Sequence, residues 1–390
     1  MRKIKNVVVV GVGDMGKGIS QVCLMAGYKV TLVDIKDEII EKAVSYIETG
    51  VKKLEIKKKL SGSQVVDIMS KMKTSTNVKS AITDADFVFE AVIEKLDIKQ
   101  KICREVFEYA PDHCIFASNT SSIRITDIAK ECSRPANVIG MHFFNPPPLM
   151  RLIEVIAGEK SSKKVMETGV ELGKTLPCLR GERYVPQVLK DRPGFIVNRV
   201  LAPERIYLDY IFDVADEKGI PWEQIDADIS APDAPMSILV LADFVGRDIS
   251  FHTAEYYAQT LSPDFEPGKL MKKQIAARKF GKKTGQGFYD WSKGRPKPDL
   301  SKKAGIVNPM VFQAIRANEG CRVLEEGVCT SWKVIDEAIL AGMNFPGPMK
   351  SATKNYRPMA ELLEEYSDKL GKPYLKPVEL LKSGKFIDIL

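Results

Sequence analysis

Histidine is scarce in this sequence, and its cysteines show no pairing pattern. His113, His142 and His252 are the only histidines in 390 residues, so a site that needs a base titrating near neutral pH has few candidates. The seven cysteines form an odd set without a CxxC pair, which argues against a zinc site or a disulfide framework. We therefore expect no metal ion and a reducing, cytoplasmic location.

Long apolar runs and concentrated charge are also missing. No stretch approaches the ~20 apolar residues of a membrane-spanning helix, and we expect no signal peptide and no membrane partner. A net charge of +7 is modest for this length, so nucleic acid is not an expected partner, whereas a small anionic substrate is compatible. The length of 390 residues exceeds one compact core and predicts two or three domains.

The first half of the chain alternates apolar segments with helical patterns. Apolar segments occur at 6–12, 28–34, 86–92, 114–117, 138–144 and 151–156. This alternation predicts an α/β domain with a doubly wound sheet of the Rossmann type over residues 1–190. A charged helical pattern near 37–72 predicts a helical hairpin that projects from this sheet.

Helical patterns dominate after the Asp-Arg-Pro-Gly sequence that begins at Asp191. They predict an all-α C-terminal domain over 191–293, a linker, and a second, degenerate copy of the helical domain over 304–390. The segments 222–226 and 332–336 both begin with Trp and end with Ile-Asp, and each precedes a Pro-Met pair, at 235–236 and 348–349. Duplication is the simpler account, and coincidence is the alternative.

Gly11, Gly13 and Gly16 form a GxGxxG motif between a predicted strand and a predicted helix, and Asp34 ends the next strand. In this context the glycines permit a tight turn, close approach of a pyrophosphate, and close packing of helix on strand. Asp34 would accept hydrogen bonds from an adenosine ribose and repel a 2′-phosphate. The motif favours NAD over NADP, although the nearby Lys36 weakens this preference, and a glycine turn without a ligand is the alternative.

His142 and Glu154 lie at the end of one predicted strand and in the next, twelve residues apart. A doubly wound sheet places its ligand crevice at strand ends, where a carboxylate can hold one nitrogen of a histidine that acts as a general base. A core histidine with an unrelated, exposed glutamate explains the same spacing equally well. His113 and His252 lack such a partner in the sequence and are predicted to be surface residues.

Five ordered motifs closely resemble those of the 3-hydroxyacyl-CoA dehydrogenases. They are SNTSS at 118–122, HFFNP at 142–146, IEV at 153–155, DRPGFIVNR at 191–199 and GKKTGQGFY at 281–289. The resemblance covers residues 1 to about 290 and is weaker over the predicted second copy. It implies NAD-dependent oxidation of a (S)-3-hydroxyacyl-CoA, with a 3-hydroxybutyryl-CoA-like member as the nearest match.

The resemblance also assigns roles to individual residues. The catalytic histidine of the family falls on His142, its orienting carboxylate on Glu154, and its substrate contacts on Ser121 and Asn198. The cofactor contacts fall on the 11–16 loop, including Asp14 and Met15, and on Asp34, Glu94, Lys99, Ser121, Asn145 and Lys283. His142 would then remove the 3-hydroxyl proton while C3 delivers hydride to the nicotinamide.

Lys57 and Lys58 lie where the family binds coenzyme A, and lysines there can pair with the phosphates of its nucleotide. A solvated helix face is the alternative. Gly50 stands where the family often has a serine for the same ligand. The segment between Gly173 and Lys190 looks about ten residues longer than usual, and its insertion at 180–184 either alters substrate selection or is a surface loop.

Two further classes of function remain open. The first is a dehydrogenase of a free 3-hydroxy acid or sugar acid, which would not need basic residues such as Lys57. The second is a non-catalytic member of the fold, against which the intact set of Ser121, His142, Glu154 and Asn198 argues. Because short family members dimerise through the helical domain, we expect a homodimer or a pseudo-dimeric monomer.

Overall fold

The computed structural model describes residues 3–231 and 236–389, which form two compact units. The first unit contains the chain up to Asn198 together with Val323–Gly347, and the second contains Arg199–Arg322 and the chain from Pro348 onward. These units cut across the predicted segments 1–190, 191–293 and 304–390, so that division stays a prediction. Pro235, which belongs to one of the predicted repeat elements, lies outside the described residues.

An eight-stranded sheet forms the centre of the first unit. Its strands, in chain order, are β1 (Asn6–Val10), β2 (Lys29–Val33), β3 (Met72–Ser75), β4 (Phe87–Glu90), β5 (Ile115–Ser118), β6 (Val138–Phe143), β7 (Ile153–Ala157) and β8 (Gln187–Val188). Across the sheet the order is β3-β2-β1-β4-β5-β6-β7-β8, and every pair is parallel except β6 with β7. The order reverses direction between β1 and β4, which confirms the predicted doubly wound, Rossmann-type fold.

Helices cover this sheet and make up most of the second unit. In chain order they are α1 (Asp14–Met25), α2 (Asp37–Ile56), α3 (Gly62–Ser70), α4 (Val78–Ala81), α5 (Leu96–Tyr109), α6 (Ile125–Ala129), α7 (Lys163–Thr175), α8 (Val197–Leu201), α9 (Glu204–Lys218), α10 (Trp222–Ile229), α11 (Ile238–Val245), α12 (Arg247–Thr260), α13 (Lys269–Ala276), α14 (Pro309–Glu325), α15 (Trp332–Met343), α16 (Met349–Leu370) and α17 (Glu379–Ser383). The helical C-terminal region agrees with the all-α character predicted from the sequence.

The core of the first unit explains why its central strands read as continuous apolar runs. All residues of β4, β5 and β6 are buried, and so are Val7–Val10 of β1. A strand with helices on both faces has no solvent face, so both of its side-chain rows are apolar. The two strands that the sequence did not predict, β3 and β8, are short edge strands with exposed residues.

Two parts of the helical region share the same local structure about 110 residues apart. A 3-10 turn at Pro263–Phe265 leads into α13, and a 3-10 turn at Pro373–Leu375 leads into α17. In both cases a side chain of a preceding long helix accepts a hydrogen bond from the amide just before the short helix, Gly268 to Asp209 Oδ2 (3.1 Å) and Val378 to Asn318 Oδ1 (2.8 Å). The helices α10 and α15 both begin with tryptophan at this spacing.

The glycine loop between β1 and α1 positions the ligand edge of the sheet. Gly11 has a φ of +86°, a conformation that favours glycine. A Cβ at Gly16 would lie 1.8 Å from the carbonyl oxygen of Gly11, whereas a Cβ at Gly13 would meet no atom within 4 Å. Packing within the protein therefore requires glycine at position 16. At position 13 the protein itself leaves room for a side chain, so glycine is needed there only if a ligand occupies that space.

This difference predicts that alanine at position 16 affects stability, whereas alanine at position 13 affects ligand binding. We expect Gly16→Ala to lower the free energy of unfolding by about 2 kcal/mol, because the added methyl group overpacks the backbone contact. We expect Gly13→Ala to leave the melting temperature unchanged and to weaken NADH binding by about tenfold, because its methyl group occupies the approach of the pyrophosphate. Thermal unfolding and a fluorescence titration with NADH measure both effects, and equal destabilisation of the two variants would contradict the assignment.

Candidate active site

The cofactor end of the site lies at the carboxyl ends of β1 and β2. Asp34 accepts hydrogen bonds from the amide of Val12 at Oδ2 (2.9 Å) and from the amide of Ile35 at Oδ1 (2.8 Å), which fixes the carboxylate at this edge. The N-cap residue of α1, Gly13, has no side chain that could cap the first amides of the helix. These free amides and the fixed carboxylate suit the pyrophosphate and the ribose of NAD.

His142 and Glu154 face each other directly across the antiparallel pair of β6 and β7. The imidazole Nδ1 lies 2.7 Å from Glu154 Oε2, and the two side chains are 7% and 0% exposed. The register of β6 and β7 therefore places next to each other two residues that are twelve positions apart in the sequence. The alternative of a core histidine with an unrelated, exposed glutamate is wrong.

The second oxygen of Glu154 ties the pair to the next segment of the site. Glu154 Oε1 accepts hydrogen bonds from the amides of Ile196 (3.1 Å) and Val197 (3.0 Å), at the start of α8. Asn198 follows immediately in the same helix. The sequence did not reveal these two donors, because a backbone amide carries no side-chain signature.

A cavity of about 330 Å³ opens beside the imidazole. Six predicted site residues line it, Met15, Glu94, Ser121, His142, Asn145 and Asn198, together with Ala91, Val92, Asn119, Phe143 and Phe144. The ring of Phe144 lies 4.6 Å from that of His142, centre to centre. Asn119, which the sequence did not single out, accepts a hydrogen bond from the amide of Phe143 (2.9 Å) and so fixes the end of β6.

Glu94 organises the loop that carries Ser121. Its Oε1 accepts hydrogen bonds from the hydroxyl of Thr120 (2.5 Å) and the amide of Ser121 (3.0 Å). Burial acts to raise the pKa of Glu94, but the ammonium of Lys99 and the hydrogen bonds from Thr120 and Ser121 outweigh burial and hold that pKa below its usual value. Glu94 thus reaches the cavity as an anion that is already engaged by the serine loop.

Lys99, a predicted cofactor contact, lies behind this loop. Its side chain is 1% exposed, and its ammonium contacts Glu90 Oε1 (2.7 Å) and Glu94 Oε2 (3.2 Å). Lys99 is not among the residues that line the cavity. Glu90, which was not predicted from the sequence, is fully buried and also accepts a hydrogen bond from the Ser118 hydroxyl (2.6 Å). A charged residue at the end of an apolar strand was the available signal.

A second, larger cavity of about 640 Å³ lies beside α1 and α2. Four lysines line it, Lys17, Lys42, Lys53 and Lys57, and its lining also includes Pro146, Pro148, Leu149 and Leu179. We call it the lysine cavity. Lys57, a predicted substrate residue, belongs to its lining, whereas Lys58 does not. Gly50 also lines it, and a Cβ there would lie 2.6 Å from Gln21 Nε2.

The remaining predictions concern residues that do not line these cavities. Lys283 belongs to the second unit, where its ammonium pairs with Asp248 at 2.9 Å, and the exposed side chain of Asp14 pairs with Lys17. His252 is exposed, as predicted, whereas His113 is partly buried and its Nε2 lies 2.9 Å from Asp86 Oδ1. Within residues 3–231 and 236–389, no group of three acidic, histidine or cysteine side chains could hold a metal ion.

Comparison with known proteins agrees with this geometry. Residues 6–177 match the NAD-binding domain of 3-hydroxyacyl-CoA dehydrogenase, and residues 194–291 match its C-terminal domain. The mitochondrial hydroxyacyl-coenzyme A dehydrogenase of Sus scrofa is 38% identical over 296 residues, which cover 74% of this chain and 91% of that protein. A fatty acid oxidation complex subunit alpha of Shewanella amazonensis is 34% identical over 98% of this chain and 55% of its own length.

Two solved structures are also similar to this chain. A (S)-3-hydroxybutyryl-CoA dehydrogenase from Ralstonia eutropha is 36% identical, with a TM-score of 0.67 over 74% of this chain and 100% of that chain. A 3-hydroxybutyryl-CoA dehydrogenase from Escherichia coli shares the fold over 100% of this chain and 99% of its own, with a TM-score of 0.84 and 24% identity. In the described part of the chain, no helix has the length and apolarity to cross a bilayer. The chain belongs to the 3-hydroxyacyl-CoA dehydrogenase family of NAD-dependent oxidoreductases.

Proposed function

We propose that this protein oxidises short-chain (S)-3-hydroxyacyl-CoA, with (S)-3-hydroxybutyryl-CoA as the preferred substrate, to the 3-ketoacyl-CoA. The observation that carries the proposal is the buried pair of His142 and Glu154 at the edge of a cavity that Ser121 and Asn198 also line. The reaction is reversible, since the same imidazole nitrogen can accept and return the proton.

The donor and acceptor roles of His142 follow from its partner. Because the carboxylate of Glu154 can only accept, Nδ1 of the neutral imidazole carries the hydrogen and Nε2 keeps the lone pair. Nε2 then takes the proton of the 3-hydroxyl group during oxidation and returns it during reduction. Bound NAD supplies the acceptor for the hydride of C3. Ser121 and Asn198 stabilise the substrate oxygen as its charge changes.

The lysine cavity suits the nucleotide part of coenzyme A. Four lysines line one cavity, of which Lys17 also pairs with Asp14, and phosphate groups are the anions that lysines bind with charge-assisted hydrogen bonds. Its lining also includes Pro146 and Pro148, and the neighbouring Asn145 lines the cavity beside His142. One loop therefore borders both cavities, as a substrate with a reactive acyl end and a phosphorylated tail requires.

The preference for a short acyl chain rests on the size and lining of the cavity at His142. A volume of about 330 Å³ lies at the lower end of the range for small-molecule sites. Phe143 and Phe144 belong to its lining, and the ring of Phe144 lies 4.6 Å from that of His142. The similarity to the Ralstonia eutropha (S)-3-hydroxybutyryl-CoA dehydrogenase supports the same choice.

A substrate comparison tests this function. With NADH we expect reduction of acetoacetyl-CoA at a kcat/KM at least about 100-fold above that for free acetoacetate, because the free acid forfeits the binding energy of the nucleotide. 3-Ketodecanoyl-CoA tests chain length, and NADPH in place of NADH tests the role of Asp34. Equal rates with acetoacetate would favour a free-acid dehydrogenase, and no turnover of either compound would favour a non-catalytic member.

Two substitutions test the assignment of the base. We expect His142→Gln to lower kcat by about 10²- to 10⁴-fold, the usual contribution of a positioned base, and to leave NADH binding unchanged. Glu154→Gln keeps the shape but can donate toward Nδ1, which favours the wrong tautomer and lowers kcat as well. Single-turnover kinetics measure both effects. A His142→Gln enzyme with wild-type kcat would refute the assignment.

We also propose that residues 304–390 are a second copy of the helical domain in 191–293. The recurrence of the 3-10 turns, the side-chain acceptors Asp209 and Asn318, and the tryptophans that begin α10 and α15 supports this duplication. A cytoplasmic location stays a prediction, since the relatives include mitochondrial proteins.

A duplicated helical domain offers within one chain the surface that short relatives offer to a partner. We therefore expect a pseudo-dimeric monomer, which sediments at the mass of one chain, 43.5 kDa. Sedimentation velocity at several protein concentrations distinguishes this state from a homodimer. A concentration-independent species of twice that mass would contradict the expectation.

A further inference from the structure

The insertion at 180–184 returns to the loop that follows the catalytic histidine. Arg183 in this insertion donates hydrogen bonds to four backbone carbonyl oxygens. Two acceptors lie in the loop after β6, Pro147 O (2.8 Å from Nη2) and Met150 O (2.5 Å from Nη1), and two lie after α7, Pro177 O (2.8 Å from Nη2) and Leu176 O (3.1 Å from Nε). One side chain therefore fastens two separate segments to each other.

Both segments contribute to the lysine cavity. The loop after β6 contributes Pro146, Pro148 and Leu149 to the lining, and Arg183 binds the carbonyl groups of the adjacent Pro147 and Met150. The segment after α7 contributes Leu179, and Arg183 binds the carbonyl groups of Leu176 and Pro177 in the same segment. The amide of Leu179 also donates to Pro148 O (2.9 Å), so the segments meet directly beside the guanidinium. Arg183 itself is partly buried and is not part of the lining.

We propose that Arg183 is a positioning residue for the coenzyme A substrate, because it holds the 146–150 loop and the 176–179 segment as one wall of the lysine cavity. The proposal rests on the proposed function, which assigns this cavity to the nucleotide of coenzyme A. It also gives the insertion a role in substrate binding rather than that of a surface loop.

The chemistry of the contact requires arginine. Four of the five N–H groups of a guanidinium are engaged here, in a planar fork that points to acceptors on both segments. A lysine keeps the charge but presents three donors from one nitrogen, which cannot span the same acceptors. Because the fork is committed to carbonyl oxygens, Arg183 acts on the ligand through the wall and not by contact with a phosphate.

Kinetics of the Arg183→Lys variant test the proposal. We expect the KM for acetoacetyl-CoA to rise by about tenfold, since a wall that is not preorganised must be ordered on binding. We expect kcat to stay within about twofold, because the 146–150 loop contributes no group to the proton transfer. The KM for NADH should stay unchanged, because the carbonyl groups that Arg183 holds in this loop, those of Pro147 and Met150, lie beyond the predicted cofactor contact Asn145. With acetoacetyl-pantetheine, which lacks the nucleotide, the variant and the wild type should be equal.

Two further variants separate geometry from charge. Arg180→Lys, at an exposed position of the same insertion, is the matched control and should behave as wild type. Lys57→Ala removes a cation of the lining, so its KM for acetoacetyl-CoA should depend less on ionic strength, whereas Arg183→Lys should keep the wild-type dependence. An Arg183→Lys enzyme equal to Arg180→Lys, or one that loses kcat and NADH affinity alike, would overturn the proposal.

Titration of free coenzyme A into the wild type, followed by calorimetry, distinguishes the two levels of the hypothesis. No binding would refute the proposed function itself, whereas equal binding by wild type and Arg183→Lys would refute only the positioning role.

Hydrogen exchange on the wild type tests the positioning role even if the variant does not fold. The amide of Leu179 should exchange slowly without ligand and change little when coenzyme A is added, and strong ligand-induced protection would contradict a preorganised wall.

Discussion

Burial of the Glu154 carboxylate is the constraint on which the active site depends. A fully buried anion needs donors from the protein, and removal of a partner from such a group costs about 3–5 kcal/mol. Its donors come from two parts of the chain, the imidazole of His142 and the amides of Ile196 and Val197. The same carboxylate therefore orients the imidazole of His142 and holds the start of α8, which carries Asn198.

The antiparallel pairing of β6 with β7 makes this arrangement possible. In an otherwise parallel sheet, it returns the chain at the carboxyl edge after a short loop, where a parallel connection would require a crossover. The loop between the two strands borders the cavity at His142 through Asn145 and the lysine cavity through Pro146 and Pro148. The reversal that sets Glu154 opposite His142 thus also supplies the loop that Arg183 fastens.

The sequence predicted those parts of the site that side-chain types encode. The central strands, the glycine loop with Asp34, and the pair of His142 and Glu154 follow from apolar runs, glycine spacing and motif resemblance. The edge strands β3 and β8 escaped prediction because short, partly exposed strands lack a continuous apolar run. The acceptors of Arg183 escaped it because they are backbone carbonyl groups, which every residue has.

Glu90 and Glu154 show why only one of two similarly buried carboxylates has a partner that fits the proposed role of base. Both carboxylates are fully buried, and both accept backbone hydrogen bonds, from Val92 in the case of Glu90. The partner of Glu90 is the ammonium of Lys99, which has donors but no acceptor and lies outside the cavity lining. The partner of Glu154 is an imidazole, which donates through one nitrogen and keeps an acceptor on the other at the cavity edge. In the proposed mechanism, proton transfer therefore depends on Nε2 of His142, and Glu154 determines only that Nε2, and not Nδ1, is the acceptor.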